Sequence, residues 1–343
     1  MAVQALLWEK DPARVMGVRC MACSHYCRIG SGEAGQCRVR VNRDGVLYSL
    51  SSCHIAAANL DPVEKKPLFH FMPGTQTFSL GTPGCNMTCA FCQNHGLSQG
   101  KVPDFGSTET AMPAKFIARI IASAEESCSA SISYTYNEPT VSPELIAAVA
   151  PRTIEAGLAN ILVSNAYAGK ESMAVLKPLI HAANFDLKSF NDAFYRDLCG
   201  ARLTPVLRTI TSAAHFGWWV EITTLLIPGH NDSDTELASI ARFIKEELGP
   251  HVPWHVSRFR PMFKLKNAPP TPLSSLERAH AIGKAEGLHF VYTGNVPGHD
   301  AESTYCPNCG GIFVRRVAYT TSPPASNVCI YCNFPVSGVW HKK

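Results

Sequence analysis

Gly84-Cys85-Asn86-Met87-Thr88-Cys89-Ala90-Phe91-Cys92-Gln93-Asn94 is the stretch on which the reading of this chain turns. Three cysteines fall within eight residues, on a Gly/Pro-rich turn directly after an apolar segment, Thr77–Leu80, that reads as a strand. Three thiolates at this spacing can grip three corners of a four-iron cluster and leave one iron open to chemistry. Zinc closes its shell with four protein ligands, so a zinc site here would have to borrow His95. The C-x3-C-x2-C spacing, with aromatic Phe91 before the last cysteine, points to the cluster and makes Cys85, Cys89 and Cys92 the reactive metal ligands.

Working outward, the chain has 14 cysteines in 343 residues, and eleven of them lie in three groups. Clustering of this kind suits metal binding in a reducing, cytoplasmic setting better than disulfide stapling. Cys53, Cys128 and Cys199 stand alone. The hydrophobic share of 46% against 17% charged residues describes a globular protein with a sizeable core. No apolar run is long enough for a membrane span and no signal peptide is legible. A net charge of +4 is too mild to argue for nucleic acid.

From about residue 76 to 295 strands alternate with helices. Strands are expected at Thr77–Leu80, Ala130–Tyr136, Asn160–Asn165, Asn184–Leu187, Trp219–Leu226, Trp254–Phe259 and His289–Tyr292. Helices are expected at Ala114–Glu126, Pro143–Ala156, Glu171–Leu179, Asp234–Leu248 and Ser274–Glu286. Such repetition builds a parallel sheet, here an α/β incomplete (β/α)6-type barrel with small cysteine-rich modules at both ends. The expected units are an N-terminal metal module over 1–60, the partial barrel over 61–300 and a zinc-ribbon-like module over 301–343. Residues 51–75 read as a proline-containing bridge, and Val46–Leu50 as a hairpin strand.

The triad loop resembles the cluster loop of the radical S-adenosylmethionine (SAM) superfamily. Further segments resemble one branch, the AmmeMemoRadiSam system radical SAM enzymes, relatives of the pyruvate formate-lyase activating enzyme. They are Asp61–His70 (DPVEKKPLFH), Tyr134–Thr140 (YTYNEPT), Asp186-Leu-Lys188, Leu226–Asp232 (LIPGHND), Trp254–Pro261 (WHVSRFRP) and Tyr292–Gly298 (YTGNVPG). The resemblance implies a [4Fe-4S] cluster and SAM as cofactors, and reductive cleavage of SAM to a 5′-deoxyadenosyl radical that abstracts hydrogen from an unidentified substrate. It also implies an electron donor such as flavodoxin or ferredoxin, and Memo-family and AMMECR-family partners.

The strand ends supply the remaining candidates. Asn137-Glu138 follows the second strand, where the resemblance implies that Glu138 receives the SAM ammonium, a sensible pairing for a carboxylate. Ser164-Asn165 follows the third, with Ala166 replacing the family's glycine and leaving the backbone less free for positive φ. Asp186 and Lys188 share one side after the fourth, as SAM contacts or an internal salt bridge. Phe91 and His255 complete the cofactor set, His255 having a core histidine as its alternative reading. Glu221 and Thr223 share a strand face, as do Ser257 and Phe259 with His255; Arg258 points the other way, and Asn295 follows the seventh strand. Trp218 and Trp219 read as packing, and Arg315-Arg316 as a solvated face.

Cys306-x2-Cys309 and Cys329-x2-Cys332, nineteen residues apart, match a structural zinc ribbon. Cys20, Cys23, Cys27 and Cys37 form a less regular set that reads as zinc or as a second iron–sulfur cluster, with His25 and His54 as substitute ligands. Three functions stay open: a radical SAM enzyme of unidentified substrate, an activase that takes hydrogen from a glycine of a partner enzyme, and a non-enzymatic multi-zinc adaptor.

Overall fold

The computed structural model describes residues 1–102 and 106–341. Seven parallel strands follow one another in spatial order: β1 (Gln76–Gly81), β2 (Ser131–Tyr134), β3 (Ala159–Ser164), β4 (Ala182–Asp186), β5 (Trp219–Leu226), β6 (Trp254–Arg258) and β7 (Val291–Gly294). Six helices cross between them: α1 (Ala114–Glu126), α2 (Pro143–Glu155), α3 (Lys170–Leu176), α4 (Leu203–His215), α5 (Asp234–Phe243) and α6 (Leu273–Ala285). These six units and a closing strand give the expected partial barrel. An eighth strand, Ala57–Pro62, runs antiparallel beside β1, and it is not paired with β7.

Two elements depart from the expected pattern. Helix α4 goes unread because Pro205, three threonines and one isoleucine depress helix propensity; burial of Val206, Ile210 and Ala213 against the sheet overrides that. Strand Ala57–Pro62 hides in the bridge because it is an edge, mostly exposed and without alternation. The barrel sheet therefore begins before residue 61.

The core follows from the strand sequences. Ile132, Ile161, Leu162, Ala183, Phe185, Val220, Ile222, Trp254 and Val256 are buried by helices on one side and the barrel interior on the other. Helix α1 lays Ile120 and Ala124 onto the sheet, with Phe116, Ile117 and Ile121 at the margin of the same cluster.

The N-terminal module contains two small sheets. Arg40–Arg43 pairs with Val46–Ser49, the expected hairpin, which in turn pairs with Ala2–Gln4. Trp8–Lys10, Val18–Cys20 and Arg28–Ile29 form the other. Arg40 locks the module to the barrel. Its guanidinium, 1% exposed, lies 2.8 Å from Glu144 at the start of α2 and donates to the Leu6 carbonyl at 2.6 Å. The C-terminal module closes over the other edge: Phe71 bridges Val339, and Val339 N–H donates to the His70 carbonyl at 2.7 Å. Arg316 belongs to this closure and not to a solvated face. It is buried, over the Phe69 ring, and donates to Phe69 O at 2.5 Å and Thr304 Oγ1 at 2.6 Å, while Arg315 is exposed as expected.

Candidate active site at the C-terminal strand ends

Cys85, Cys89 and Cys92 sit on the loop after β1, at the end of the barrel where the strands' carboxyl termini open. In parallel barrels that end carries function, because each loop can vary without disturbing the sheet. The loop is pinned from three sides. Asn137, after β2, donates its amide to Gly84 O at 2.8 Å and Thr82 Oγ1 at 3.0 Å. Asn165, after β3, donates to Asn86 Oδ1 at 2.8 Å and lies 3.7 Å from Cys85 Sγ. The π-helical turn Tyr195–Cys199, after β4, presents carbonyls of Leu198 and Cys199 to the Ala90 and Thr88 N–H groups, each at 2.9 Å. Irregular helical turns of this kind recur at functional sites because they free carbonyls for such use.

Gly84 is one glycine the geometry requires. Its φ is +91°, and a Cβ there would meet Val39 Cγ1 at 2.5 Å and Cys37 O at 3.0 Å, so the N-terminal module rests directly on the loop backbone. Ala166 corrects an expectation in the opposite sense. It adopts φ +60° despite its side chain, held by its N–H donating to Ser164 Oγ at 3.0 Å. The left-handed conformation costs an alanine about 1 kcal/mol.

Donors surround the sulfurs. Met87 N–H approaches Cys85 Sγ at 3.4 Å, and Ser98 Oγ lies 3.1 Å from Cys92 Sγ. Burial, reinforced by the Glu138 carboxylate, pushes the Cys85 thiol well above its ordinary value. Cys89 goes the other way: a hydrogen bond with the Cys199 thiol and the nearby Lys188 ammonium hold it below its ordinary value despite burial. One buried and two half-buried thiols with donors close by suit an iron–sulfur cluster, whose iron charge would draw off the remaining protons. Cys199, one of the solitary cysteines, is a site residue missed in the sequence. Its distance of more than a hundred residues from Cys89 gave no signal.

Lys188 Nζ makes a 2.8 Å salt bridge with Asp186, at the end of β4, and lies over the Phe91 ring. Burial alone would lower the Lys188 pKa; Asp186 and the Cys89 and Cys199 thiols win and hold it well above the lysine range. Phe91 is itself buried, 5.8 Å from the Phe194 ring centre, so it shapes the loop from beneath.

Glu138, expected as the ammonium contact, has partners within the chain. It is 1% exposed and its oxygens accept from Thr140 N (3.0 Å), Thr140 Oγ1 (2.7 Å), Ser164 Oγ (2.9 Å) and Asn165 N (2.7 Å). It ties the ends of β2 and β3 together and so sets Asn165 against the triad.

His255 is buried with a carboxylate partner, as a core histidine would be. Its Nε2 lies 2.6 Å from Glu221 Oε2, and its ring also lines a cavity of about 310 Å³. The cavity runs from Gln93, next to Cys92, past Phe69 and Ser257 to Arg260 and Asn295. Glu221 also accepts the N–H groups of Phe69 (3.0 Å) and His70 (2.7 Å) and the Trp219 indole N–H (3.0 Å), which accounts for the Leu68-Phe69-His70 segment. Thr223 turns to Asn184 Oδ1 at 2.9 Å, Arg258 to Thr271 O at 2.8 Å, and Trp218 packs in the core.

The four C-terminal sulfurs, Cys306, Cys309, Cys329 and Cys332, all lie within 4.8 Å of one another, with Cys306–Cys332 and Cys309–Cys329 each at 3.6 Å. A tetrahedral ion with metal–sulfur bonds of about 2.3 Å sets its sulfurs about 3.8 Å apart, so this set fits a zinc-sized ion.

The radical SAM superfamily model matches residues 79–241. An uncharacterized Methanocaldococcus jannaschii protein, MJ0808, is 42% identical over 317 residues, covering 92% of this chain and 92% of its own. A second from that organism, MJ0674, is 26% identical over 80% of this chain and 76% of its own. The chain belongs to the radical SAM superfamily. Among solved structures, a radical SAM methyltransferase from Sphaerobacter thermophilus covers 71% of each chain at 17% identity, with a TM-score of 0.48. A domain of a pyruvate-formate lyase-activating enzyme from Bacteroides vulgatus covers 48% of this chain and 99% of its own at 17% identity, with a TM-score of 0.43.

Proposed function

We propose that this chain is a radical SAM enzyme that opens SAM at a [4Fe-4S] cluster held by Cys85, Cys89 and Cys92 and directs the resulting radical at a substrate in the adjoining cavity. The observation that carries the reading is the triad loop, which brings three cysteines together on one pinned turn, with the cavity starting at Gln93. When bound, the cluster supplies the electron that breaks the sulfonium carbon–sulfur bond, giving methionine and a 5′-deoxyadenosyl radical.

The chain's own part is orientation and exclusion of water. Asp186 and Lys188 offer opposite charges to the ammonium and carboxylate of the methionine portion. Asn137, Glu138, Ser164 and Asn165 fix the loop against the strand ends, and Phe91 supports it from below. His255, held by Glu221, faces the substrate side of the cavity.

Zinc is assigned to the C-terminal four cysteines. A one-electron donor such as flavodoxin or ferredoxin and Memo-family and AMMECR-family partners follow from the motif resemblance, and cytoplasmic localisation from the metal-type clustering of the cysteines. Among the described residues no helix is long and apolar enough to cross a membrane.

Anaerobically reconstituted protein, reduced with dithionite in the presence of SAM, should release 5′-deoxyadenosine. Cys89→Ala should abolish it. Release that survives this substitution refutes the proposal. An activase acting on a partner's glycine is the narrower alternative, read by a glycyl radical signal in the partner.

A further inference from the structure

We infer that the Ser98 hydroxyl donates a hydrogen bond to Cys92 Sγ and so raises the reduction potential of a cluster held by Cys85, Cys89 and Cys92; the inference rests on the reading of the triad proposed above.

Ser98 lies on the short helix His95–Gln99, which follows the triad loop. Its side chain is 2% exposed, and its Oγ has two hydrogen-bonding partners, Asn94 O at 3.0 Å and Cys92 Sγ at 3.1 Å. A hydroxyl carries one proton, so the two compete for it. Asn94 O already accepts the Leu97 N–H at 3.0 Å and the Ser98 N–H at 2.9 Å. A carbonyl oxygen has two lone pairs, and here both are taken. A Cys92 thiolate bound to metal has no proton to give and can only accept. The Ser98 proton is therefore directed to the sulfur.

The helix that presents this hydroxyl is fastened from three directions. Toward the triad loop, Leu97 O accepts the Gly84 N–H at 3.1 Å and Gln99 Nε2 donates to Met87 O at 2.8 Å. From the N-terminal module, Arg38 donates through Nη2 to Ser98 O and to Gln99 Oε1, each at 3.0 Å. From the segment after β6, the Phe263 ring stacks on His95 with 4.6 Å between centres. Ser98 is thus a positioned donor and not a freely rotating surface serine.

Two other donors approach the triad sulfurs less closely. Met87 N–H reaches Cys85 Sγ at 3.4 Å, and the Asn165 amide, 3.7 Å from the same sulfur, donates to Asn86 Oδ1 at 2.8 Å. Ser98 is nearer to its sulfur than either, and its hydroxyl can be removed without touching the backbone. Reduction adds one negative charge that the ligand sulfurs share. A donor aimed at such a sulfur stabilises that charge, and hydrogen bonds to the sulfurs are among the factors that set a cluster's potential. The electron comes from the reductant; Ser98 keeps its proton, and no bond forms or breaks.

Anaerobic redox titration with dithionite, followed by electron paramagnetic resonance of the SAM-free protein, reads the inference. Ser98→Ala should hold as much iron as the unaltered protein. At a fixed potential its reduced-to-oxidised ratio should fall about tenfold, a midpoint lower by about 59 mV for one electron. Ser98→Thr, which keeps the hydroxyl, should restore the midpoint. In deuterium oxide, electron–nuclear double resonance of the reduced protein should show an exchangeable deuteron that Ser98→Ala lacks. An unchanged midpoint in Ser98→Ala overturns the inference. Loss of iron confined to Ser98→Ala overturns it as well, because the hydroxyl would then be holding the loop and not tuning it. If the midpoint shifts while the unaltered protein makes no 5′-deoxyadenosine from SAM, the enzymatic reading falls and the hydrogen bond stands. If 5′-deoxyadenosine forms and the midpoints coincide, the hydrogen bond falls alone.

Discussion

Replacing Glu221 with glutamine tests the buried network behind the cavity. The carboxylate is fully buried and accepts four donors: the Phe69 and His70 N–H groups, the Trp219 indole and His255 Nε2. An amide can turn only one oxygen toward them. With that oxygen kept for His70 and Trp219, its NH2 faces the Phe69 N–H and His255, leaving at least one buried donor unpaired. An orphaned donor costs about 1–3 kcal/mol, and losing hydrogen bonds to a charged acceptor costs about 1.5–3 kcal/mol more. The expected loss is about 3–5 kcal/mol. At an unfolding entropy of about 2.1 cal/mol/K per residue, this lowers the thermal midpoint by roughly 4–7 °C. Differential scanning calorimetry of Glu221→Gln beside the unaltered protein at equal metal loading reads it. A shift below 1 °C would refute the account, because the carboxylate would then not be holding the 68–70 segment.

Three more outcomes are expected. Burial lowers the His70 pKa to about 4, so only the unfolded chain takes up its proton below pH ~6.5. The His70 contribution to stability is intact above that pH and declines by about 3 kcal/mol as pH falls toward 4; urea midpoints against pH should show this slope flattened in His70→Asn. Gly84→Ala, forced to φ +91° against Val39, should cost about 1–2 kcal/mol or more and lower the iron retained after gel filtration. Cys329→Ser should release the C-terminal metal and make trypsin cut residues 303–341 at least about tenfold faster, a change of about 1.4 kcal/mol in local opening.

The parallel strands were legible because strands covered on both faces carry apolar runs, as in Ile161-Leu162-Val163. The triad was legible because its chemistry is compressed into eight residues. What escaped was set by tertiary contact. Glu138 looked like a ligand contact at a strand end, and only the fold shows Ser164 and Asn165 donating to it. Arg316 looked solvated, and only docking of the C-terminal module places it on Phe69.

The Phe71–Val339 bridge and the Ser337 carbonyl that holds the His70 ring have a consequence for the chain's biogenesis. Residues 337–340 leave the ribosome after every strand they fasten. Until then the 68–72 segment lacks its outer partner and the seam beside β7 stays unlatched, so the barrel matures in a vectorial order whose final step is a clasp. Ribosomes stalled before residue 336 should therefore carry nascent chains with a protease-sensitive 62–75 segment, while those stalled well past 341 should not.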